Sequence, residues 1–362
     1  MDRRTRSQKF RVRQDWIVAM GMALAVVTCL PSQAWSGDRS NEGCLMCHSE
    51  KGEFLKFADG SKKSLFVDKA QWKKSVHGGK LSCTDCHREI SDYPHQKKKF
   101  EDARDYTLAR ANTCQRCHYA HYTRVLDSTH YEILKSGMRE APTCVDCHGA
   151  HDIHDPRTPR LGINARCATC HSEISDTFKQ SVHGKALLEN NPDVPVCTDC
   201  HGAHSMPSPS DSKFRLTSFQ MCAQCHGDEE RMKKYDLNTA VLSTYLDDFH
   251  GSSNRLYAMG AGKPTKPIAT CSDCHGVHNI SSFKGSATKA EARARVIKTC
   301  RTCHAEVPDS FADAWLSHYE PTFETAPLVW GVKLGYRVLI PLIMIGLVLH
   351  ILLHLWRLKT HR

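Results

Sequence analysis

Residues 144–148 read Cys144-Val-Asp-Cys147-His148, and the same pattern, Cys-x-x-Cys-His, occurs nine times in the 362-residue chain. Every Cys-x-x-Cys unit is followed by His, although only 23 residues of the chain are His. The nine copies use 18 of the 19 cysteines and leave Cys29. They are Cys44-Cys47-His48, Cys83-Cys86-His87, Cys114-Cys117-His118, Cys144-Cys147-His148, Cys167-Cys170-His171, Cys197-Cys200-His201, Cys222-Cys225-His226, Cys271-Cys274-His275 and Cys300-Cys303-His304.

This spacing has a chemical reason. Two thiols two residues apart can form thioethers with the two vinyl groups of one porphyrin, and the following His is then held beneath the ring as an iron ligand. Zinc ribbons and disulfides do not require a His after each Cys pair. The sequence therefore predicts nine covalent haem c groups, with the motif His as proximal ligands. We number the motifs as sites 1 to 9 in chain order.

The motifs form an internal repeat of two alternating classes. One class has Asp before the second Cys, as in Cys83-Thr-Asp-Cys86-His87, and the other class lacks it. A lone His stands between each Asp-less motif and the next Asp motif, and three Asp motifs continue as Gly-x-His. The chain thus contains four units of two motifs each, followed by a half unit from Cys300 to His318.

The repeat also predicts nine distal iron ligands for nine irons. Five follow Asp-less motifs and four follow Asp motifs, with His95 standing where the first unit lacks Gly-x-His. His121 is a rival for His95, and His121 and His154 are left over as candidates to replace a neighbour. The predicted distal ligands are His77, His130, His183, His250, His318, His95, His151, His204 and His278.

We expect a mainly α protein with extensive loops, wrapped around a chain of haems that forms its core. Hydrophobic residues make up 40% of the chain and aromatic residues only 8%, which is modest for a large core of side chains. Residues 99–117 and 287–303 favour helices that lead into motifs, and residues 228–249 are a further candidate. No alternation typical of strands is found.

Residues 1–34 have the features of a secretory signal peptide. Six basic residues precede an apolar run from Trp16 to Leu30, which includes Cys29, and Ser32-Gln33-Ala34 is a small-x-small cleavage site. An uncleaved N-terminal anchor is the alternative. Export agrees with the motifs, because haem is attached to such motifs outside the cytoplasmic membrane. We divide the chain into a signal peptide (1–34), a nonahaem cytochrome c domain (35–320) and a C-terminal membrane anchor (321–362).

The anchor is predicted from the apolar run Val338–Trp356, which is long enough to cross a bilayer together with residues 334–337. Pro341 is expected in the first turn of this helix, where a missing N–H is tolerated. His350 and His354 lie one turn apart on the helix. They are candidates for a haem b or quinone contact; the alternative is an interfacial or packing role.

The positive charge of the sequence does not indicate a nucleic-acid partner. The formal net charge is +10, and it falls to +6 without residues 1–34. Each bis-ligated ferric haem with two ionised propionates adds about −1, so nine haems bring the total to about −3. Many Lys and Arg side chains are therefore expected to pair with propionates or to be solvated.

The Cys-x-x-Cys-His-Gly-x-His repeats of residues 41–320 resemble the periplasmic multihaem cytochromes c with doubled haem motifs. The layout is similar to the membrane-anchored quinol dehydrogenases of anaerobic respiration. It is more similar to the nonahaem cytochromes that are joined to, or partnered with, b-type membrane cytochromes in metal-respiring bacteria. The first group has an N-terminal anchor and fewer haems, and the fused proteins have several membrane helices where one is expected in this sequence.

The resemblance implies a location on the periplasmic side of the bacterial inner membrane. It implies electron transfer between quinol, a b-type cytochrome or another quinol-oxidising membrane subunit, and periplasmic cytochromes or reductases. His304 and His318 are expected to share the haem nearest the membrane, where electrons would arrive. Two alternatives stay open: a multihaem reductase of a nitrogen or sulfur oxyanion with one five-coordinate haem, and a wiring subunit of a larger respiratory complex.

Overall fold

The computed structural model describes residues 38–90, 95–157, 159–282, 288–311 and 318–360, and it is mainly helical. Short helices joined by loops, with one long apolar helix at the C-terminal end, confirm the predicted fold class. The predicted signal peptide, including Cys29, lies outside the described residues. The helices are α1 Asp38–His48, α2 Lys69–Lys74, α3 Cys83–Cys86, α4 Ala103–Arg110, α5 Tyr119–Val125, α6 Thr129–Lys135, α7 Cys144–His148, α8 Arg160–Ala168, α9 Ser172–Gln180, α10 Val182–Leu188, α11 Cys197–His201, α12 Ser212–His226, α13 Glu229–Lys233, α14 Val241–Asp247, α15 Phe249–Ala258, α16 Cys271–His275, α17 Lys289–Arg301 and α18 Pro327–Thr360.

Side chains alone make only a small core. Ten apolar side chains are buried in the described part of the chain, and they are scattered from Leu45 to Ile297. The largest fully buried side chains are polar, namely Asn41, Asn254 and Thr270. Burial of apolar surface is the main favourable term in folding. A chain with so little of it is therefore expected to depend on apolar surface from another source.

The two motif classes have two local structures. Helices α3, α7, α11 and α16 begin at the first Cys of an Asp motif. The Asp carboxylate accepts a hydrogen bond of 2.6–2.8 Å from the backbone N–H of the residue before that Cys, which caps the one-turn helix. Four of the five Asp-less motifs lie instead at the end of a longer helix, α1, α8, α12 or α17, whose N-terminus is far upstream. At the fifth Asp-less motif a 3₁₀ helix, Cys114–Arg116, starts at the first Cys without an Asp, so the Asp accompanies only the motifs at which an α-helix starts.

The structure corrects the expectation that strands are missing. Residues Phe54–Lys56 (β1) pair with Lys62–Ser64 (β2) in an antiparallel hairpin. Each strand has three residues, which is too short for a visible alternation of apolar and polar positions. The helix predicted for 228–249 is also divided in two, α13 and α14.

Helix α18 spans 34 residues and includes a window of mean hydropathy 2.6. Within the described ranges it is the one helix that is long and apolar enough to cross a membrane, judged by length and composition. The expectation for Pro341 is wrong. Because α18 begins at Pro327, Pro341 lies in the helix interior, where it removes the helical hydrogen bond to the carbonyl of Arg337.

Candidate haem-binding sites

Each of the nine motif His faces a His from outside the motifs, and His118 has two such neighbours, His77 at 6.0 Å and His121 at 6.2 Å between ring centroids. The ring centroids of the two imidazoles are 5.9–6.1 Å apart in all nine pairs. In order of sites 1 to 9, the pairs are His48–His95, His87–His151, His118–His77, His148–His204, His171–His130, His201–His278, His226–His183, His275–His318 and His304–His250.

This separation fits an iron atom between the two rings. A metal–imidazole bond of about 2 Å on each side, plus about 1.1 Å from each nitrogen to its ring centre, gives about 6 Å between centroids. The environment also favours neutral imidazole, which is the form that binds metals. Burial and the neighbouring His226 lower the pKa of His183 to about 4, and burial lowers the pKa of His318. The Cys and His residues therefore fit covalent haem with two axial His.

The nine non-motif His in these pairs are those that the repeat predicted. His95, not His121, faces His48 at site 1. The ring of His121 instead lies 4.6 Å from that of His204 at site 4 and 6.2 Å from that of His118 at site 3. His154 is exposed and belongs to none of the nine pairs.

In eight pairs the two His come from neighbouring units. A lone His reaches forward to the first site of the next unit, as His77 does for His118. A Gly-x-His reaches back to the second site of the preceding unit, as His151 does for His87. Neighbouring units therefore exchange one ligand in each direction. Site 1 has no preceding unit to supply a lone His, and His95 from its own unit takes that place.

One backbone hydrogen bond marks each of the first three exchanges. It runs from the N–H of the residue before the lone His to the carbonyl of the residue two after Gly-x-His. The bonds are Val76 N to Ile153 O at 2.8 Å, Thr129 N to Met206 O at 2.8 Å and Val182 N to Ile280 O at 2.9 Å. The two exchanged ligands are thus tied to each other directly.

A glycine follows the lone His in three units because the chain passes close to the preceding helix. A Cβ at Gly184 would lie 1.9 Å from the carbonyl oxygen of Phe178, and one at Gly251 would lie 1.9 Å from that of Tyr245. Just before this His, Ser181 caps helix α10 through a 3.0 Å bond from the N–H of Gly184. The recurring Ser-x-His-Gly pattern thus sets the position of a distal ligand.

The two sites of one unit lie next to each other, as the proximity of their Cys thiols shows. The first Cys of its two motifs interact, so that burial and the neighbouring Cys44 raise the pKa of Cys83 to about 12. The same interaction occurs in all four units. The pairs are Cys44–Cys83, Cys114–Cys144, Cys167–Cys197 and Cys222–Cys271.

The second Cys of each Asp motif also lies near a Cys of the next unit. Burial is the main cause that raises the pKa of Cys147 to about 11, and the charge of Cys167 in the following unit adds to it. The corresponding pairs are Cys86–Cys117, Cys147–Cys167, Cys200–Cys222 and Cys274–Cys300. With the pairs inside units, every site is next to the following one, and the nine sites form an unbroken series in chain order.

An Arg holds the two motifs of a unit together in units 2 to 4. Its guanidinium donates to the motif Asp and to the carbonyl of the third residue before the first Cys. Arg215, for example, donates to Asp273 at 2.9 Å and to Ile268 O at 3.2 Å. The pairs are Arg104–Asp146, Arg160–Asp199 and Arg215–Asp273.

Sequence reasoning missed these arginines. Arg160 and Arg215 stand seven residues before the next Asp-less motif, but Arg104 stands ten before it, so their spacing gave a weak signal. Unit 1 uses buried Asn41, which accepts from Cys83 N at 2.6 Å and donates to Leu81 O at 3.1 Å.

Comparison with known proteins agrees with this geometry. Residues 137–227 match the cytochrome c3 family. This cytochrome c3-like segment contains sites 4 to 7, in units 2 to 4. The match supports a multihaem c-type cytochrome with covalently bound haem and a role in electron transfer. No curated protein and no solved structure matched the chain.

Site 1, outside the cytochrome c3-like segment, is held by the hairpin. The Nδ1 of His48 lies 3.0 Å from the carbonyl oxygen of Leu65, the residue after β2. A carbonyl only accepts, so Nδ1 carries the proton and Nε2 is free for a metal. The hairpin is an insertion, since the lone His follows the motif His by 29 residues in unit 1 and by 12 in units 2 and 3.

The pairing at site 8, near the other end of the series, contradicts one expectation. The ring of His318 lies 6.1 Å from that of His275, while His304 faces His250. The expectation that His304 and His318 share one haem is therefore wrong. His318 reaches back to the preceding unit, as a Gly-x-His does elsewhere, because site 8 needs a ligand from the half unit.

His350 and His354 of α18 are exposed, and they lie outside the series of nine sites. They are on the same helix, so they cannot bind opposite faces of one iron. A metal role would require a ligand from another helix.

Proposed function

We propose that the protein is a membrane-anchored electron carrier that holds nine haem c groups at sites 1 to 9 on the periplasmic side of the bacterial inner membrane. It relays electrons between the quinol pool, a b-type cytochrome or another quinol-oxidising membrane subunit, and periplasmic cytochromes or reductases in anaerobic respiration. The observation that carries this proposal is the unbroken series of nine adjacent sites, each with two facing imidazoles.

The residues of each site have distinct roles in this proposal. When bound, haem iron supplies one-electron redox chemistry. The two Cys would hold the porphyrin covalently, and the two facing His would bind its iron. Two His ligands favour lower potentials than a His and a Met. With both axial positions taken, the sites are suited to electron transfer and not to substrate binding.

The ends of the series suggest where electrons arrive and leave. Sites 8 and 9 receive His318 and His304, which precede α18 in the chain, so we propose that electrons enter there. Site 1 is at the opposite end of the series and is the proposed exit. Residues 1–34 serve as the export signal, and α18 tethers the domain. His350 and His354 have two candidate roles, a haem b or quinone contact with a partner helix, or packing.

A reductase of a nitrogen or sulfur oxyanion is the second candidate function. It requires an iron with an open axial position, and the facing His at all nine sites disfavours one. Electron paramagnetic resonance of the oxidised protein distinguishes the two. We expect low-spin ferric signals only. A stoichiometric high-spin signal that shifts with nitrite, hydroxylamine or sulfite would favour the reductase.

Intact mass tests the haem count directly. The mature protein should exceed the mass of the chain lacking residues 1–34 by nine haem increments. Eight or fewer increments in fully matured protein would contradict the ligand set.

Truncation after Glu320 tests the tether. The shortened protein should be soluble, keep nine haems and accept electrons from dithionite. Its reduction by a naphthoquinol in native membrane vesicles should be slower by at least about tenfold, since a tether raises the local concentration to the millimolar range. Equal rates would exclude α18 from the path of electrons.

Two matched variants separate the roles of α18. Replacing residues 338–356 by a polyleucine helix should restore the rate if α18 only tethers the domain. The full chain with His350→Ala and His354→Ala should then be as fast as the native protein. A loss of rate in this double variant alone would support the haem b or quinone contact.

A further inference from the structure

Helix α14 directly precedes the helix that carries the lone His of unit 4, as α9 does in unit 3, but in unit 4 an insertion lies ahead of it. The lone His follows the motif His by 24 residues in unit 4, against 12 in units 2 and 3, and the additional residues include α13 and the segment between α13 and α14. Site 8 is also the site whose distal ligand, His318, comes from the segment that leads into α18. The insertion therefore accompanies an exceptional ligand.

Two consecutive residues of α14 contact the two halves of site 8. Thr244 Oγ1 lies 3.4 Å from Nδ1 of His318. Tyr245 is buried, and its hydroxyl donates to the carbonyl of Ala269, two residues before Cys271, at 3.0 Å. Just before α14, the side-chain amide of Asn238 donates to the carbonyl of His318. The helix thus holds the motif with one side chain and the facing His with another.

The direction of the hydrogen bond at Thr244 follows from its other contact. The hydroxyl donates to the carbonyl of Ala240 at 2.6 Å, so its proton is already used. Its oxygen is then left as an acceptor for His318, which must carry its proton on Nδ1. This leaves Nε2 to bind iron. Such outer partners of a ligating His fix its ring orientation and make it a stronger donor.

We propose that Thr244 is a positioning residue that sets the orientation and ligand strength of His318 and thereby lowers the reduction potential at site 8. This inference rests on the proposed ligation of site 8 by His275 and His318. The insertion in unit 4 contributes to the same end, because Asn238, between α13 and α14, donates to the carbonyl of His318, the ligand nearest in sequence to the membrane helix. In units 2 and 3 the exchanged His are held by a backbone hydrogen bond at the unit boundary.

The test uses the full-length, haem-loaded protein and the variant Thr244→Val, which keeps the shape of the side chain and removes the hydroxyl. One of nine redox transitions should move to higher potential, and one low-spin paramagnetic resonance signal should shift. Thr244→Ser should keep the native values. Thr177→Val is the matched control, because Thr177 makes the same bond within α9, to Glu173 O at 2.9 Å, and has no His partner among the described residues.

The background variant His318→Met assigns the effect to site 8. A Met ligand has no N–H, so adding Thr244→Val should cause no further shift. The proposal fails if Thr244→Val leaves all transitions in place, if Thr177→Val changes them equally, or if the shift persists in the His318→Met background. If His318→Met itself changes no haem, the proposed ligand set is wrong, and this outcome is distinct from a failure at Thr244 alone.

Discussion

The paired His are held in place differently at the interior junctions between units and at the two ends of the series. At the junctions between units 1 and 2, 2 and 3, and 3 and 4, two His are exchanged and one backbone hydrogen bond ties them together. At the C-terminal end two His are still exchanged, but at both ends side-chain contacts or an inserted hairpin hold one His of a pair. The hairpin β1–β2 holds His48, and helix α14 holds His318.

The difference shows what a repeat can and cannot supply. An interior unit completes its neighbours and is completed by them, so no unit carries its full set of ligands. An end unit has no neighbour on one side and needs residues that the repeat does not contain. The insertions in units 1 and 4 are therefore expected to affect single sites, whereas damage to an exchange affects two units.

Removal of the half unit gives the largest expected effect. Truncation after Ser282 deletes one motif, but it also removes His318 from site 8. We expect eight haems by mass, seven of them low-spin and one high-spin by paramagnetic resonance. The control is truncation after Glu320, which should keep nine low-spin haems. Eight low-spin haems that remain when His250 is also replaced by Ala would contradict the exchange at this end.

Substitution of Gly184 by Ala should disturb an interior exchange. The new Cβ would lie 1.9 Å from the carbonyl oxygen of Phe178, so His183 must move away from His226 in the next unit. We expect a loss of stability above about 3 kcal/mol and one high-spin haem at site 7.

Gly162→Ala is the matched control. Its Cβ would approach no atom closer than 3.6 Å, and Ala favours helix α8 by about 1 kcal/mol. Unit 2 has Tyr131 at the position of Gly184. Full tolerance of Gly184→Ala would therefore mean that α9 and α10 can separate enough to admit a side chain.

The sequence predicted which residues form the sites but not how they combine. Nine motifs identify 18 Cys and nine His, and the recurring lone His and Gly-x-His identify most of the nine facing His, because covalent attachment and iron ligation demand these types at these spacings. The pairing depends on contacts between units, which spacing does not encode. The expectation that His318 and His304 share a haem therefore fails, because the structure places His318 beside His275.

Other misses also have physical causes. Arg160 and its counterparts bind carbonyls and carboxylates about 35–60 residues away, and such contacts leave no local pattern. The hairpin strands are too short to show periodicity. Helix α18 begins before the apolar run, so Pro341 lies in the helix interior and not, as the sequence predicted, in the first turn. The mainly helical fold was predictable because helices lead into the motifs and an apolar run lies near the C-terminus.

Replacement of Asn41 by Ala should have an intermediate effect. This buried side chain links Cys83 N and Leu81 O, and its loss leaves two backbone groups without this partner. We expect about 2 kcal/mol lower stability, measured as the urea midpoint of the low-spin haem spectrum.

Unit 3 provides the comparison, because Asn164 accepts from Cys197 N at 3.0 Å while Arg160 also holds the motif. Asn164→Ala should cost about 1 kcal/mol. If the two variants lose equal stability, the first unit is not more dependent on its single side chain than the interior unit is.

The smallest effect is expected where α14 meets the membrane helix. Lys333 Nζ lies 4.0 Å from Asp247 Oδ2, and both side chains are largely exposed to solvent, so the ion pair should contribute less than about 0.5 kcal/mol. Lys333→Gln should leave the urea midpoint and the paramagnetic resonance signal of site 8 unchanged, as should Asp247→Asn. The reason is that His318 is held by Thr244 and Asn238 and not by this pair. A shift at site 8 in both variants would instead mean that α18 acts on the ligand through α14, and the C-terminal end would then depend on its membrane helix as the interior units depend on their neighbours.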